Sequence, residues 1–377
     1  MAVLKNNRTA AFRICKEERV IVISTVFYIL ITLLIFGSLV LIHELGHFLV
    51  ARAFRVTVNE FSIGMGPKIV SRVAKKSGIR YSLRMLPIGG YVSMAGENEA
   101  SDDVNAFSNK KVWQRILVVL AGPAMNILLG FLSMFLMVSL TVANGSPLAS
   151  TTVAQFQDGA ESSKYGLMID DEILKVGNVY VHTGDEVVYE IMNNTKIIND
   201  RYATTDLLVM RDGQRVKLEN VVFPILKDDQ TGVVFGNYDF KFYGIQGDFG
   251  TLCKNAFWRS LSTVKMIWDS LIDLVTGRYG LNAMSGPVGI TKQIGTAVKS
   301  GGTTLLYLFT VITMNLGVFN LIPFPALDGG QLLFLLIEGV RRKPLKQEVI
   351  GTINFVGISL LLLLMVFVTI KDVIGLF

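Results

Sequence analysis

The stretch Leu41-Ile-His-Glu-Leu-Gly-His-Phe-Leu-Val50 places two histidines and a glutamate at the end of a long apolar run. On an α-helix His43 and His47 project from one face, so both imidazoles can reach one metal ion. Glu44 then lies beside the open coordination position of that metal. Ionisable side chains at membrane depth are costly and mark functional sites, although a polar helix end facing headgroups is the simpler alternative. Because imidazole suits zinc, the stretch predicts a zinc site on a membrane-spanning helix.

The composition is that of an integral membrane protein. The 377 residues are 51% hydrophobic and 18% charged, and the mean hydropathy is +0.48. Apolar runs at 20–41, 113–143, 303–325 and 349–370 are each long enough to cross a hydrocarbon core, which takes roughly 20 helical residues. The first run leads directly into the histidines without a small-residue cleavage site, so we expect a retained span.

Basic residues are concentrated between the first and second runs and between the third and fourth. The positive-inside rule therefore places both loops in the cytoplasm and the long polar segment after the second run outside. The basic tail at 1–19 argues for the opposite orientation, although Glu17 and Glu18 partly offset its charge. Because the same rule explains the basic loops, no nucleic-acid partner is expected.

These features predict a polytopic α-helical membrane protein with four transmembrane helices. The order is an N-terminal tail (1–19), a first transmembrane helix (20–53), a membrane-associated β region on the cytoplasmic side (54–112) and a second helix (113–143). An inserted, extracytoplasmic PDZ-like α+β domain (147–226) and a segment with an amphipathic helix (227–302) follow. A third transmembrane segment (303–340), a cytoplasmic loop (341–348) and a fourth helix (349–377) complete the chain. The β region is predicted from VTVNEFSIGMGPKIV and IRYSLRMLPIGGYVSM, which are β-branched and aromatic runs punctuated by Gly and Pro.

Two segments of the outer region have recognisable patterns. KYGLMIDDEILKVGN (164–178) resembles the carboxylate-binding loop and following strand of a PDZ domain, although Tyr165 replaces the usual alanine and Asp170 the usual glycine. That resemblance implies that Gly166 and Leu167 form the floor of a peptide groove. Apolar residues at helical spacing over 257–275 predict an amphipathic helix, which lies either at the membrane interface or against the β-domain.

A third metal ligand is needed, and the chain offers few. His182 lies in the β-rich segment, where an exposed or hydrogen-bonded role is the simpler interpretation. In soluble zinc proteases of the thermolysin kind a glutamate follows about twenty residues downstream, but basic residues occupy that region here. Asp328 lies in NLIPFPALDGGQLL, where Pro323 and Pro325 prevent regular helix and two glycines allow close approach. An aspartate on such a segment is well placed to complete a metal site.

The chain resembles the bacterial site-2 proteases, which are zinc intramembrane proteases of regulated intramembrane proteolysis. HELGH, FSIGMGPKI, LPIGGYVSM, AGPAMN, SGPVGI (285–290) and NLIPFPALDGG stand in that family's order and span nearly the whole chain. The resemblance implies zinc ligands His43, His47 and Asp328, the catalytic acid/base Glu44, and substrate contacts near the scissile bond from Asn320, Pro323 and Pro325.

The same resemblance implies a zinc-dependent endopeptidase in the bacterial inner (plasma) membrane, with its active site near the cytoplasmic side. Its substrates would be transmembrane segments of single-span proteins, such as anti-sigma factors or signal-peptide remnants, and the PDZ-like domain would bind or exclude their outer domains. The β region would either receive the unwound substrate as an added strand or only stabilise its loop. A zinc transporter and a membrane adaptor are the alternatives. A transporter does not require Glu44 beside a ligand, and an adaptor does not require the complete set of ligands.

Overall fold

The computed structural model describes residues 2–97, 101–228, 232–278, 280 and 284–375, without the side chains of 2–25, 87 and 88. The helices are α1 (Ala2–Ala53), α2 (Val112–Ala143), α3 (Gly184–Asn193), α4 (Phe249–Val275), α5 (Pro287–Ser300), α6 (Gly302–Asn320), α7 (Asp328–Arg341) and α8 (Gln347–Ile374). The strands are β1 (Val58–Val73), β2 (Arg80–Met94), β3 (Leu148–Phe156), β4 (Glu172–Val176), β5 (Val179–Tyr180), β6 (Lys196–Ile197), β7 (Tyr202–Arg211), β8 (Gln214–Lys227), β9 (Val234–Gly236) and β10 (Phe240–Ile245). The chain forms two compact units, Met1–Leu129 with Ser285–Phe377, and Gly130–Met284.

The four predicted membrane helices are confirmed. Among the described residues, the helices long and apolar enough to span a membrane are Val26–Ala53 of α1, together with α2, α6 and α8. Large apolar side chains on these helices are widely exposed, for example Leu34, Leu132 and Leu363. Such a surface is stable in hydrocarbon, where an exposed leucine carries no hydrophobic penalty.

The third apolar run is broken where its prolines predict. Helix α6 ends at Asn320, and α7 begins at Asp328 after a short irregular segment. The first turn of α7 packs directly onto that segment, because a Cβ added to Gly329 would lie 2.1 Å from the carbonyl oxygen of Ile322. A glycine at this position is therefore required for the close approach that brings Asp328 to its place.

The region between α1 and α2 forms the predicted β-sheet. Residues 60–63 of β1 are paired with 90–93 of β2 and also with 80–83, while 68–73 pair with 80–84. Within the described residues, the segment 90–94 is paired only with β1, so one of its edges is open. Its buried side chains, Val92 and Met94, pack with Ala51 and Val118 of the flanking helices. The segment 90–94 is thereby held close to the end of α1 that carries the histidines.

Helix α5 begins at the SGPVGI motif and is attached to the last membrane helix. The backbone N–H groups of Gly286 and Gly289 both donate to Oδ2 of Asp372 in α8, at 2.8 Å each. A carboxylate at a helix N-terminus satisfies otherwise unpaired N–H groups and the helix dipole. The motif therefore joins α5 to α8.

The second unit contains a sheet with strand order β10-β3-β4-β7-β8-β9, with β5 beside β4 and β6 beside β7. Its core includes Ile173, Leu207, Phe223 and Phe240. Strands β9 and β10 belong to this sheet, so the β-domain extends to Ile245, beyond the boundary expected at 226. The sequence misleads there because the residues before β9 are polar, include a glycine and have the composition of a domain end.

Helix α4 packs on α3 of the same unit. Lys265 pairs with Glu190 at 2.9 Å, and Arg259 pairs with Asp185 at 3.1 Å. The ring of Trp258 stacks on His182 with centroids 3.5 Å apart. The apolar side chains Phe257, Leu261, Trp268, Ile272 and Val275 remain exposed on α4. One face of the helix therefore contacts the β-domain, and a place for the other face at the membrane interface remains a prediction.

Candidate metal centre and active site

Three ligand atoms from opposite ends of the sequence converge on one point. Nε2 of His43 lies 3.0 Å from Oδ2 of Asp328, and Nε2 of His47 lies 3.5 Å from the same oxygen. The two Nε2 atoms are 3.2 Å apart. The helical spacing in α1 aligns the imidazoles, and the break between α6 and α7 supplies the carboxylate.

This arrangement fits a zinc ion. Ligands bound to zinc at about 2.0–2.1 Å in tetrahedral geometry are separated by roughly 3.3 Å, which is close to all three distances. Oδ2 of Asp328 is buried and, among the described residues, has no hydrogen-bond donor. Lone pairs of two neutral imidazoles and a carboxylate in such contact repel one another unless a cation lies between them. The residues therefore fit a bound cation, and their N and O donors suit zinc.

Both histidines are oriented by contacts with α2. Nδ1 of His47 donates to the carbonyl oxygen of Val118 at 2.8 Å, which leaves its Nε2 free to bind metal. Nδ1 of His43 lies 3.2 Å from the Asn126 amide, whose buried Oδ1 has no hydrogen bond from any residue that the structure describes. If the amide is turned so that Oδ1 accepts from Nδ1–H, both atoms are satisfied and Nε2 of His43 is also free.

The AGPAMN motif of α2 makes room for the imidazoles. A Cβ added to Gly122 would lie 2.3 Å from Nε2 of His47 and 2.8 Å from Nε2 of His43. The sequence favours small-residue helix packing for this motif, with lining of the site as the alternative. The structure shows that Gly122 and Asn126 do contact the centre. Their role is visible only in three dimensions, because glycine and asparagine are also common in membrane helices for packing alone.

Glu44 lies between the metal ligands and the edge of β2. The backbone N–H of Val92 faces its carboxylate. Cγ of Glu44 is 3.5 Å from the position that a Cβ on Gly90 would occupy, so the strand approaches the glutamate closely. A carboxylate in this position can accept a proton from a water in the cleft and return it to a leaving group.

The remaining predicted residues occupy different surroundings. His182 stacks on Trp258 in the second unit. Asn320 is the last residue of α6, and Pro323 is exposed in the break. Pro325 is half-buried, with its Cβ 2.6 Å from the position that a Cβ on Gly357 of α8 would occupy. Substrate contact by Asn320, Pro323 and Pro325 remains a prediction.

The PDZ-like loop is well ordered by internal bonds. Gly166 has a left-handed φ of 94°, and its carbonyl oxygen accepts from Arg211 at 2.7 Å. Leu167 is 1% exposed and packs in the core, so its side chain is closed to solvent. Asp170 has a φ of 71°, the conformation for which a PDZ domain uses glycine at this position and which aspartate tolerates. A peptide groove at Gly166 and Leu167 remains a prediction.

The fold and the centre together define a membrane-embedded metallopeptidase. The model of peptidase family M50 matches residues 31–364. A protein of Clostridium acetobutylicum, described as a candidate zinc metalloprotease, is 36% identical over 355 residues, covering 92% of this chain and 98% of its own. One of Clostridium perfringens with the same description is 37% identical over 351 residues, again covering 92% and 98%. The regulator of sigma-W protease RasP of Bacillus subtilis is 29% identical over 430 residues, with the same coverage. The chain therefore belongs to peptidase family M50 and is a zinc metalloprotease of the site-2 type.

Proposed function

We propose that the protein is an intramembrane endopeptidase that cleaves transmembrane segments of single-span membrane proteins in regulated intramembrane proteolysis. One observation carries the proposal. The convergent His43, His47 and Asp328 lie on or beside membrane helices, so a peptide that reaches them must do so at membrane depth. A Glu44→Gln variant that keeps zinc but loses cleavage of a model transmembrane substrate is the direct test.

The residues divide the chemistry between them. His43, His47 and Asp328 would hold a zinc ion, which would supply a Lewis acid and lower the pKa of nearby water towards neutrality. Glu44 takes the proton from the attacking water and passes it to the leaving amine, so that one peptide bond breaks and one water is consumed. Asn126 and the carbonyl of Val118 hold the imidazoles in the tautomers that leave Nε2 available.

The substrate would bind at the open edge of β2 as an added strand. A transmembrane helix hides its carbonyl groups in its own hydrogen bonds, so it must be unwound before attack. An added strand replaces those bonds with pairing to the sheet and needs no particular side chains. The edge at 90–94 adjoins Glu44 through Val92 and Gly90, so a strand added there would present its backbone to the catalytic carboxylate.

The sidedness follows from charge. The basic residues of the β1–β2 region and the basic residues between α7 and α8 favour a cytoplasmic location for both. The same rule puts the β-domain of the second unit outside the cytoplasm. The membrane would be the inner (plasma) membrane of a bacterium.

We propose that this PDZ-like domain excludes substrates whose outer domains are still intact. The name of the Bacillus subtilis relative, regulator of sigma-W protease, supports anti-sigma factors as one substrate class.

A further inference from the structure

Two carboxylates share the open edge of β2. The N–H of Ala95 points towards β1, since it donates to the carbonyl oxygen of Thr57 at 2.9 Å. N–H groups alternate between the two edges of a strand, so those of residues 92 and 94 point to the open edge. Val92 N–H faces the Glu44 carboxylate there, and Met94 N–H donates to Oε2 of Glu97 at 3.2 Å.

These two N–H groups are the donors that an added strand would use. Strand pairing at an open edge joins every second N–H to a carbonyl of the new strand. Glu97 occupies the donor of Met94, which is two residues, or about 7 Å, from the donor beside Glu44. A substrate that pairs along the whole of 90–94 must therefore remove the Glu97 carboxylate from Met94 and take the Val92 N–H that faces Glu44.

We propose that Glu97 caps the substrate-binding edge of β2 and is displaced when a substrate strand pairs with that edge. Glu97 is thus a residue that tunes substrate affinity, and it does so by competing for one backbone donor. The inference rests on the proposed strand addition at this edge. It extends that proposal by naming what occupies the edge before the substrate arrives.

The hydrogen bond between Met94 N–H and the Glu97 carboxylate is one that a substrate can replace at low cost. No Lys or Arg in the described part of the chain forms an ion pair with Glu97. Glu60 of the same sheet, by contrast, pairs with both Lys68 and Arg84. Burial raises the pKa of Glu97 to about 7, and the N–H of Met94 only partly opposes this effect. The charged carboxylate is therefore poorly stabilised where it lies, which lowers the cost of moving it into water.

The test is a binding measurement on full-length, zinc-loaded protein in which Glu44→Gln prevents cleavage. The probe is a fluorescently labelled single-span polypeptide, titrated in detergent and followed by anisotropy. Glu97→Ala frees the donor of Met94, so the Kd should fall about threefold to tenfold, the range for one net hydrogen bond. Glu97→Gln keeps a neutral, weaker acceptor and should give a smaller decrease.

Asp103→Ala is the matched control. The Asp103 carboxylate also accepts a backbone N–H, that of Asn105 at 2.8 Å, but in a loop outside β2. This variant should bind the probe with unchanged Kd. If Glu97→Ala unfolds at the parental temperature and its Kd is unchanged or higher, Glu97 does not compete with the substrate for Met94 N–H, and the proposal is rejected. If Glu97→Ala does not fold, an unchanged or higher Kd in Glu97→Gln has the same meaning.

A crosslinking experiment distinguishes two failures: that Glu97 does not compete with the substrate, and that no substrate strand adds to β2. A photoreactive residue at Ser93, on the strand segment 90–94, should crosslink to the probe. Crosslinking without any effect of Glu97→Ala means that the strand adds but Glu97 does not compete. Cleavage by the otherwise unaltered enzyme without crosslinking at Ser93 rejects strand addition here, and the cap with it. Absence of cleavage by that enzyme, with zinc bound, rejects the proposed function itself.

Discussion

Nε2 of His43 lies 3.0 Å from Oδ2 of Asp328, although one residue is near the start of the chain and the other is near its end. The contact joins the first membrane helix to the break after α6. The carboxylate oxygen has no hydrogen-bond donor among the described residues, and a cation bound by the three side chains would stabilise it.

Glu44→Gln should separate metal binding from catalysis. Gln keeps the size of the side chain and an acceptor for Val92 N–H, but it cannot take a proton. Purified Glu44→Gln should contain close to one zinc per chain and cleave a model transmembrane substrate at least about a hundredfold more slowly. Glu348→Gln, on the exposed first turn of α8, should retain both zinc and activity. Full cleavage by Glu44→Gln would reject Glu44 as the catalytic acid/base.

Removal of any ligand should remove the metal. His43→Ala, His47→Ala and Asp328→Ala each leave two ligands, too few for a stable zinc site, so zinc content and cleavage should fall together. Elemental analysis of purified protein measures the first, and His182→Ala serves as the control that keeps zinc. Unaltered zinc affinity in Asp328→Ala would show that the third ligand lies elsewhere.

Asn126 should affect zinc through His43. Asn126→Leu keeps the approximate volume but removes the acceptor for Nδ1–H, and loss of such a partner costs about 10–100-fold in metal affinity. Competition with a chelator of known affinity measures this loss. Asn126→Asp retains an acceptor and should remain closer to the parent. Equal affinities in Asn126→Leu and the parent would reduce Asn126 to a packing residue.

The sidedness can be measured with the exposed, free Cys253 on α4. In protein that carries Cys15→Ser, an impermeant maleimide should label Cys253 in intact cells, because the proposed orientation places the β-domain on which α4 packs outside. Denatured protein controls for reactivity. Labelling of Cys253 only after lysis would reverse the proposed orientation.

The β-domain should restrict substrate access. Its sheet ends at Ile245, so the replacement of residues 147–245 by a short Gly-Ser linker removes the whole sheet. We expect this variant to cleave substrates with intact outer domains that the full protein rejects, with unchanged zinc content. If a pre-trimmed substrate is no longer cleaved while zinc is retained, the domain delivers substrates instead of excluding them.

Local patterns determined much of this protein in advance. Four apolar runs specify four membrane helices, because length and hydropathy alone decide whether a helix suits a bilayer. The spacing of His43 and His47 specifies two ligands on one helix face. Prolines 323 and 325 specify the break before Asp328, since proline has no N–H to continue a helix. Each of these inferences uses neighbours in the chain.

Only the tertiary structure decided those features of the site and of the β-domain that depend on residues far apart in the sequence. The sequence alone left the third ligand between Asp328 and weaker candidates, and only the packing of α7 onto the break places that carboxylate beside the imidazoles. Asn126, Gly122 and Glu97 gave no reliable signal, because their roles come from distances to atoms on other elements. The end of the β-domain was likewise hidden, since β10 joins the sheet by pairing with β3, far away in sequence. Periodicity records which face of an element is apolar, but the partner of that face is set by packing across the whole chain.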